Sequence, residues 1–348
     1  MNCRRRSDGE DEMNDSYASS DGFPALIRIL SEASEWIVLS HVKPDGDALG
    51  SASAFASVGR KLGKTVVWGG PDEYPSRYLF LEGSGEFRPN LKLSSLALTE
   101  GSVVLALDTS TRARSVEDLD ALPENVPLLN VDHHEDNELF GTVNYVDPSS
   151  SSTGEIAWLL LREWGIPLEI DVLEAVYTAL ATDCGNFAFS CTTPRTHRVA
   201  AELLDGGVSP AKLDERIRCN ASIPGLRLRA VALSRAFVAG GFAAFTWLRN
   251  DDFLHNGSER SATEFLVNDL LTLKDVSFAA FFVEDEECVR VSLRSRGVVL
   301  AAEIARVFGG GGHPQAAGCK LPLPLSDAVE SVRSLVEERY AERIAPAE

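Results

Sequence analysis

Positive charge is scarce in this 348-residue chain: 33 Lys and Arg stand against 52 Asp and Glu, a formal net charge of −19. Proteins that clamp long DNA or RNA neutralise many phosphates along one basic face. This chain is a poor fit to that class, and a phosphate-bearing ligand should be short, with metal ions supplying much of the positive charge. No apolar run approaches the roughly 18 residues needed to cross a bilayer, so no membrane role is expected. Sulfur is also sparse. The six cysteines (3, 184, 191, 219, 288 and 319) form no C-x-x-C pair and no zinc-finger spacing. Free thiols in a reducing cytoplasm follow. Arg4, Arg5 and Arg6 are followed by acidic and polar residues rather than an apolar core, so export is not expected. A repeat of fixed period is absent too.

What is present reads as globular, with 44% hydrophobic and 24% charged residues. The length suggests two domains. Residues 1–22 are polar and acidic, and are expected to be a disordered tail. Phe23–Ala33 reads as a helix. Short, continuously apolar runs at 36–40, 65–68, 103–107 and 127–131 suit strands buried on both faces. Helical patterns lie at 48–62, 153–164, 171–182 and 194–204. The alternation predicts an α/β class, with a mostly parallel sheet over residues 23–205. Residues 206–236 suit a helical connector, with Pro224-Gly225 as a break. Beyond it the grammar changes to strands at 242–248, 276–283 and 289–293, with helices near 262–271, 300–308 and 327–343. This reads as a smaller α+β domain, 237–345.

Four acidic or His clusters stand out. His41, Asp45 and Asp47 follow the first strand, with Gly46 allowing a tight turn. Ligands bind at the carboxyl ends of parallel strands, and three ligand-type groups so close together are costly without a cation. An exposed Pro-Asp-Gly turn is the competing reading. Asp108 follows the strand at 103–107, where a helix N-cap is the alternative. Asp132-His133-His134 follows 127–131 and suits a metal ligand beside a residue aimed at substrate; surface decoration is the alternative. Asp183 closes the helix at 171–182, where a loop Asp would also fit. Jointly the clusters point to one sheet edge and to two hard or borderline cations, manganese best suited. Two such ions generate a hydroxide and clamp the attacking and leaving oxygens in phosphoryl hydrolysis.

Near the C terminus, Gly309-Gly310-Gly311-Gly312-His313-Pro314-Gln315-Ala316-Ala317-Gly318 would let backbone N–H groups converge on an anion. It is no nucleotide P-loop, since no Lys-Ser or Lys-Thr pair follows. Arg294 and Ser295 end a predicted strand upstream, and Arg294 suits a bidentate grip on phosphate or simple solvation.

Taken in order, these motifs make the chain resemble the DHH phosphoesterase superfamily. Within it the chain looks like the bacterial nanoRNase/pAp phosphatase group, in which a DHH domain precedes a DHH-associated domain. The resemblance spans about residues 23–343. It implies a manganese-dependent hydrolase of short single-stranded RNA oligonucleotides and of 3′-phosphoadenosine 5′-phosphate, working in a cleft between two domains. It makes His41 and Asp45 ligands of one Mn2+, Asp47, His133 and Asp183 ligands of a second, and Asp108 a bridge. His134 would sit beside the reacting phosphate and Asp132 would orient a histidine. Arg294, Ser295, Gly311, Gly312 and His313 would hold substrate. Cys184 stands where the subgroup has Thr, which places an oxidisable thiol beside a ligand and predicts loss of activity on oxidation. A cyclic-dinucleotide (c-di-AMP) or linear-dinucleotide phosphodiesterase is the nearest rival. A pyrophosphatase or exopolyphosphatase, a non-catalytic nucleotide sensor and a RecJ-like long-substrate exonuclease fit less well. A homodimer is the expected default for such an enzyme.

Overall fold

A computed structural model of the chain describes residues 22–219, 221–263 and 266–344. The expected tail thus lies, apart from Gly22, outside the described residues. The chain divides into two compact units, one ending at Ile217 and the other beginning at Arg218. None of the described helices is long and apolar enough to cross a membrane.

The first unit runs α1 (Gly22–Glu32), β1 (Glu35–Leu39), α2 (Gly46–Lys61), β2 (Thr65–Gly69), β3 (Ser102–Leu107), β4 (Leu128–Asp132) and β5 (Val143–Val146). Four helices follow: α3 (Thr153–Trp164), α4 (Ile170–Asp183), α5 (Pro194–Asp205) and α6 (Pro210–Arg218). Its five strands are all parallel, in the order β2-β1-β3-β4-β5. β3 and β4 are buried along their whole length, as their unbroken apolar runs require. Helices bury one sheet face around Trp36, Val38, Leu105, Leu129, Phe55 and Leu180. Loops and short 3-10 turns bury the other around Ile37, Leu39, Val104 and Ala106. The strand order reverses between β1 and β3, and in such sheets the crevice beyond the carboxyl ends at that point is where ligands bind.

Close packing of α2 on α4 sets the geometry near that crevice. A Cβ on Gly50 would lie 2.5 Å from the Ala175 carbonyl oxygen, and one on Gly46 would lie 2.4 Å from the Thr182 hydroxyl. Gly46 is therefore there for space: it is the first residue of α2, not the centre of a tight turn.

In the second unit, α7 (Ile223–Ser234) precedes β6 (Phe237–Ala239), β7 (Ala243–Leu248), α8 (Asn250–Asn256), α9 (Leu266–Leu270), β8 (Phe278–Glu284) and β9 (Val289–Ser295). It ends with α10 (Ala301–Val307), β10 (Gly311–His313), β11 (Ala316–Leu321) and α11 (Leu325–Ile344). Its six-stranded sheet, β10-β11-β9-β8-β7-β6, is antiparallel except for β7 and β8. Pro224-Gly225 opens α7 behind the N-cap Ser222 rather than breaking a helix, since proline is tolerated in a first turn. α7 packs Leu228 and Ala232 into the second unit's core, while α6 sends Leu213 and Ile217 into that of the first. The expected connector is thus divided between the two.

Because the Ala175 carbonyl is backbone and cannot move aside cheaply, Gly50→Ala is expected to destabilise the fold by about 1–3 kcal/mol in urea unfolding. Gly85→Ala, where a Cβ would meet nothing within 4 Å, should be near neutral.

Candidate metal centre

Each acidic or His cluster is delivered by the end of a regular element. His41 follows β1, Asp108 follows β3, Asp132 is the last residue of β4, and Asp183 is the last residue of α4. Asp45 is the N-cap of α2; its Oδ1 accepts from the Asp47 and Ala48 amides at 3.0 and 3.1 Å. It is exposed, as the turn reading required, yet it faces His41 and Asp108. Asp108 adopts φ +54°, a conformation uncommon outside glycine. The buried Asn130 pins that turn, donating to the Ala106 and Thr109 carbonyls at 3.3 and 3.0 Å. It is not a helix N-cap.

The structure gathers His41, Asp45 and Asp108 into one trio and Asp47, His133 and Asp183 into another. Within each, the ligand-type atoms lie within 4.8 Å of one another. His133 sits at the focus: its Nε2 is 3.6 Å from oxygens of Asp47, Asp108 and Asp183 alike. The Ser150 carbonyl lies 3.2 Å from His133 Nδ1. A carbonyl only accepts, so Nδ1 carries a proton and Nε2 offers its lone pair to the centre. His41 repeats the device: Nδ1 donates to the Val42 carbonyl at 2.7 Å and Nε2 lies 3.3 Å from Asp108. Lone pairs and carboxylates converging on one point repel unless a cation lies between them. This donor set, carboxylate and neutral imidazole without thiolate, suits hard or borderline divalent ions.

The electrostatics agree. Burial, then the charges of Asp108, Asp183 and Asp45, hold the Asp47 carboxyl well above its usual range, although the Thr153 amide opposes them. Burial and the neighbouring Asp108 and Asp45 lift Asp183 to about 6, against His133. Asp108 is held low: burial opposes its ionisation, but the adjoining His41 first, then His134 and His133, outweigh it. His134 donates from Nδ1 to Asp132 at 2.7 Å. Burial disfavours its imidazolium, yet Asp132 and Asp108 outweigh that and raise it to about 9. Asp132 is in turn fixed by Asn137 Nδ2 at 2.6 Å.

Three expected features sit otherwise than the sequence suggested. Ser295 alternates to the face of β9 opposite Arg294, is buried, and accepts from the Ala301 amide at 3.1 Å; its part is local, steadying the start of α10. The glycine run is not an open cradle. Gly311, Gly312 and His313 form β10, and a Cβ on Gly312 would lie 2.5 Å from the Ala316 carbonyl oxygen, so these glycines permit close strand approach. Register nevertheless sets His313, Ala316 and Arg294 in one row across three strands. Cys184 is fully buried, and burial pushes its thiol up to about 11. A buried thiol held in its neutral form is a poor nucleophile, so little oxidation sensitivity is expected of it.

Other functional-looking groups were not evident in the chain order. Asp47 accepts the Thr153 and Gly154 amides at the start of α3, at 2.7 and 2.8 Å. The Thr153 hydroxyl donates to Asp108 at 3.2 Å. Only the run Ser149–Thr153, rich in hydroxyls, hinted at this.

Three outcomes follow. Asp183 titrates higher folded than unfolded, so its ionisation burdens the metal-free fold above about pH 6 and is relieved as pH falls. His134, also raised, contributes stability that is complete below its ordinary value of 6.5 and lost as pH rises through about 9. Melting of chelator-treated protein should therefore rise between pH 9 and 5.5. With a divalent ion present the same acidification should lower the melting temperature, because protons compete for the ligands. Peroxide should inactivate wild type and Cys184→Ser to equal extents.

Residues 35–180 match the DHH family, N-terminal domain, and residues 241–342 match the DHHA1 domain. A bifunctional oligoribonuclease and PAP phosphatase NrnA of Thermus thermophilus is 35% identical over 304 residues, 86% of this chain and 89% of that protein. Its Bacillus subtilis counterpart is 28% identical over 303 residues, 85% and 92% of the two chains. An exopolyphosphatase-related protein of Bacteroides fragilis shares the fold at a TM-score of 0.84 and 24% identity, covering 94% of this chain and 99% of that one. RecJ of Thermus thermophilus in complex with Mn2+ shares it at 0.54 and 13%, covering 92% and 55%. With the metal-type cluster at the sheet's carboxyl edge, these matches show that the chain belongs to the DHH phosphoesterase family, a hydrolase joining a DHH domain to a DHHA1 domain.

Proposed function

We propose that this enzyme hydrolyses short RNA oligonucleotides to mononucleotides and 3′-phosphoadenosine 5′-phosphate to AMP and phosphate, using two manganese ions. The observation that carries the reading is the focus at His133 Nε2, 3.6 Å from three carboxylates. The names of the Thermus and Bacillus relatives supply the substrate class. His41 and Asp45 would hold one cation, Asp47, His133 and Asp183 the other, and Asp108 would reach both. When bound, the pair supplies an activated water and positive charge at the phosphate.

The chain's own residues do the rest. Asp132 holds His134 through Nδ1 and favours its imidazolium, a positive group for the negative charge that grows on phosphorus oxygens. The Thr153 and Gly154 amides hold both Asp47 oxygens, fixing one ligand before any substrate arrives. Arg294 on β9, with Gly311, Gly312 and His313 on β10, is the proposed grip on the substrate's far phosphate or base. A ribose 3′ oxygen is the leaving group in both substrates. The surplus of acidic residues disfavours long polyanions. Free thiols at Cys191, Cys219 and Cys288 accord with a cytoplasmic setting.

Labelled di- to pentanucleotides, the bisphosphate and cyclic dinucleotides, each assayed with manganese and with chelator, test the reading. Turnover of the first two classes only with metal is expected; exclusive cleavage of cyclic dinucleotides would transfer the assignment to a cyclic-dinucleotide phosphodiesterase. Asp108→Ala should abolish turnover, and near-normal activity would contradict the assignment. Arg294→Ala should raise KM about 10- to 100-fold with a smaller change in kcat, as loss of a charged phosphate contact implies.

A further inference from the structure

Behind His133 lies a second buried charge. Glu155, on α3, is fully buried, and an anion there needs partners. Its Oε2 accepts from the Ser151 amide at 3.2 Å, the Ser151 hydroxyl at 2.5 Å and the Thr196 hydroxyl at 3.0 Å. Its Oε1 accepts from Arg195 Nε. Arg195 stands in the first turn of α5 behind Pro194, fixed there by the Thr193–Thr196 capping box. Its Nη2 then donates to Asp147 at 3.0 Å and to the Ser150 hydroxyl at 2.9 Å. Asp147 also accepts from the Ser150 hydroxyl at 2.8 Å.

This fork clasps both ends of the segment 147–155. The segment carries the Ser150 carbonyl that sets the His133 tautomer, the two amides that hold Asp47 and the Thr153 hydroxyl on Asp108. Four contacts to three members of the centre thus issue from a loop that one guanidinium helps to hold at both ends. A guanidinium presents its donors in a rigid fork that an ammonium cannot copy.

We propose that Arg195, through Glu155 and Ser150, is a positioning residue for the metal centre: it fixes the Ser150 carbonyl so that His133 presents Nε2 to the cation. This rests on the metal reading given above. Partners of this kind commonly tune metal affinity by about 10- to 100-fold.

Cobalt(II) serves as probe on the full chain, with affinity from calorimetry and ligand geometry from the visible absorption spectrum. Wild type should bind cobalt with a d–d spectrum that includes imidazole ligation; no binding would sink the metal reading itself. Given binding, Arg195→Lys should weaken it about 10- to 100-fold and shift the spectrum, with KM for a dinucleotide changing less than kcat. Ser150→Ala, which keeps the Glu155–Arg195 pair, should move affinity and spectrum in the same direction by a smaller amount. It decides the matter should Arg195→Lys fail to fold. Cobalt affinity and spectrum unchanged in every variant that folds, whatever happens to melting temperature, would overturn the proposal and leave Arg195 a purely structural partner of Glu155.

Discussion

Mutual repulsion among buried carboxylates is the constraint on which the first unit turns. Asp47, Asp108 and Asp183 come from three distant parts of the chain and share one His133 nitrogen. A protein gains nothing for its fold from such crowding. Burial and like charge push Asp47 and Asp183 toward their neutral forms, which marks an arrangement kept for a function. Strain at Asp108 belongs to the same account: a left-handed turn is held in place by buried asparagine bonds so that one carboxylate can face two trios.

The scaffold makes that crowding affordable. Parallel strands end together, so residues that follow β1, β3 and β4 arrive at one edge without long loops. Gly46 and Gly50 let α2 lie against α4, which brings Asp47 and Asp183 to the same place. Backbone amides at the start of α3 then meet Asp47. Sheet order, helix contact and helix N-terminus each deliver a different part of the centre.

Much of this was legible in the chain itself. β1, β3 and β4 are short apolar runs bounded by turns, and the reactive residues stand directly after them. β5 escaped because Asn144 and Tyr145 break its apolar pattern at the sheet's edge, where Val143–Tyr145 are only half-buried. The glycine run suggested an anion cradle because composition records freedom and not pairing; its partner strand decides that it is a hairpin. Ser295 looked like a companion of Arg294, but period-two alternation turns it to the core. Arg195 and Glu155 lie 40 positions apart and belong to no motif, so only the folded contact joins them.

Anomalous scattering from crystals grown with manganese tests the central claim most directly. The account predicts two peaks in the first unit, about 3.5–4 Å apart, one beside His41, Asp45 and Asp108 and the other beside Asp47, His133 and Asp183. Saturating manganese that leaves no peak there, or places its only peaks at other residues, would contradict it.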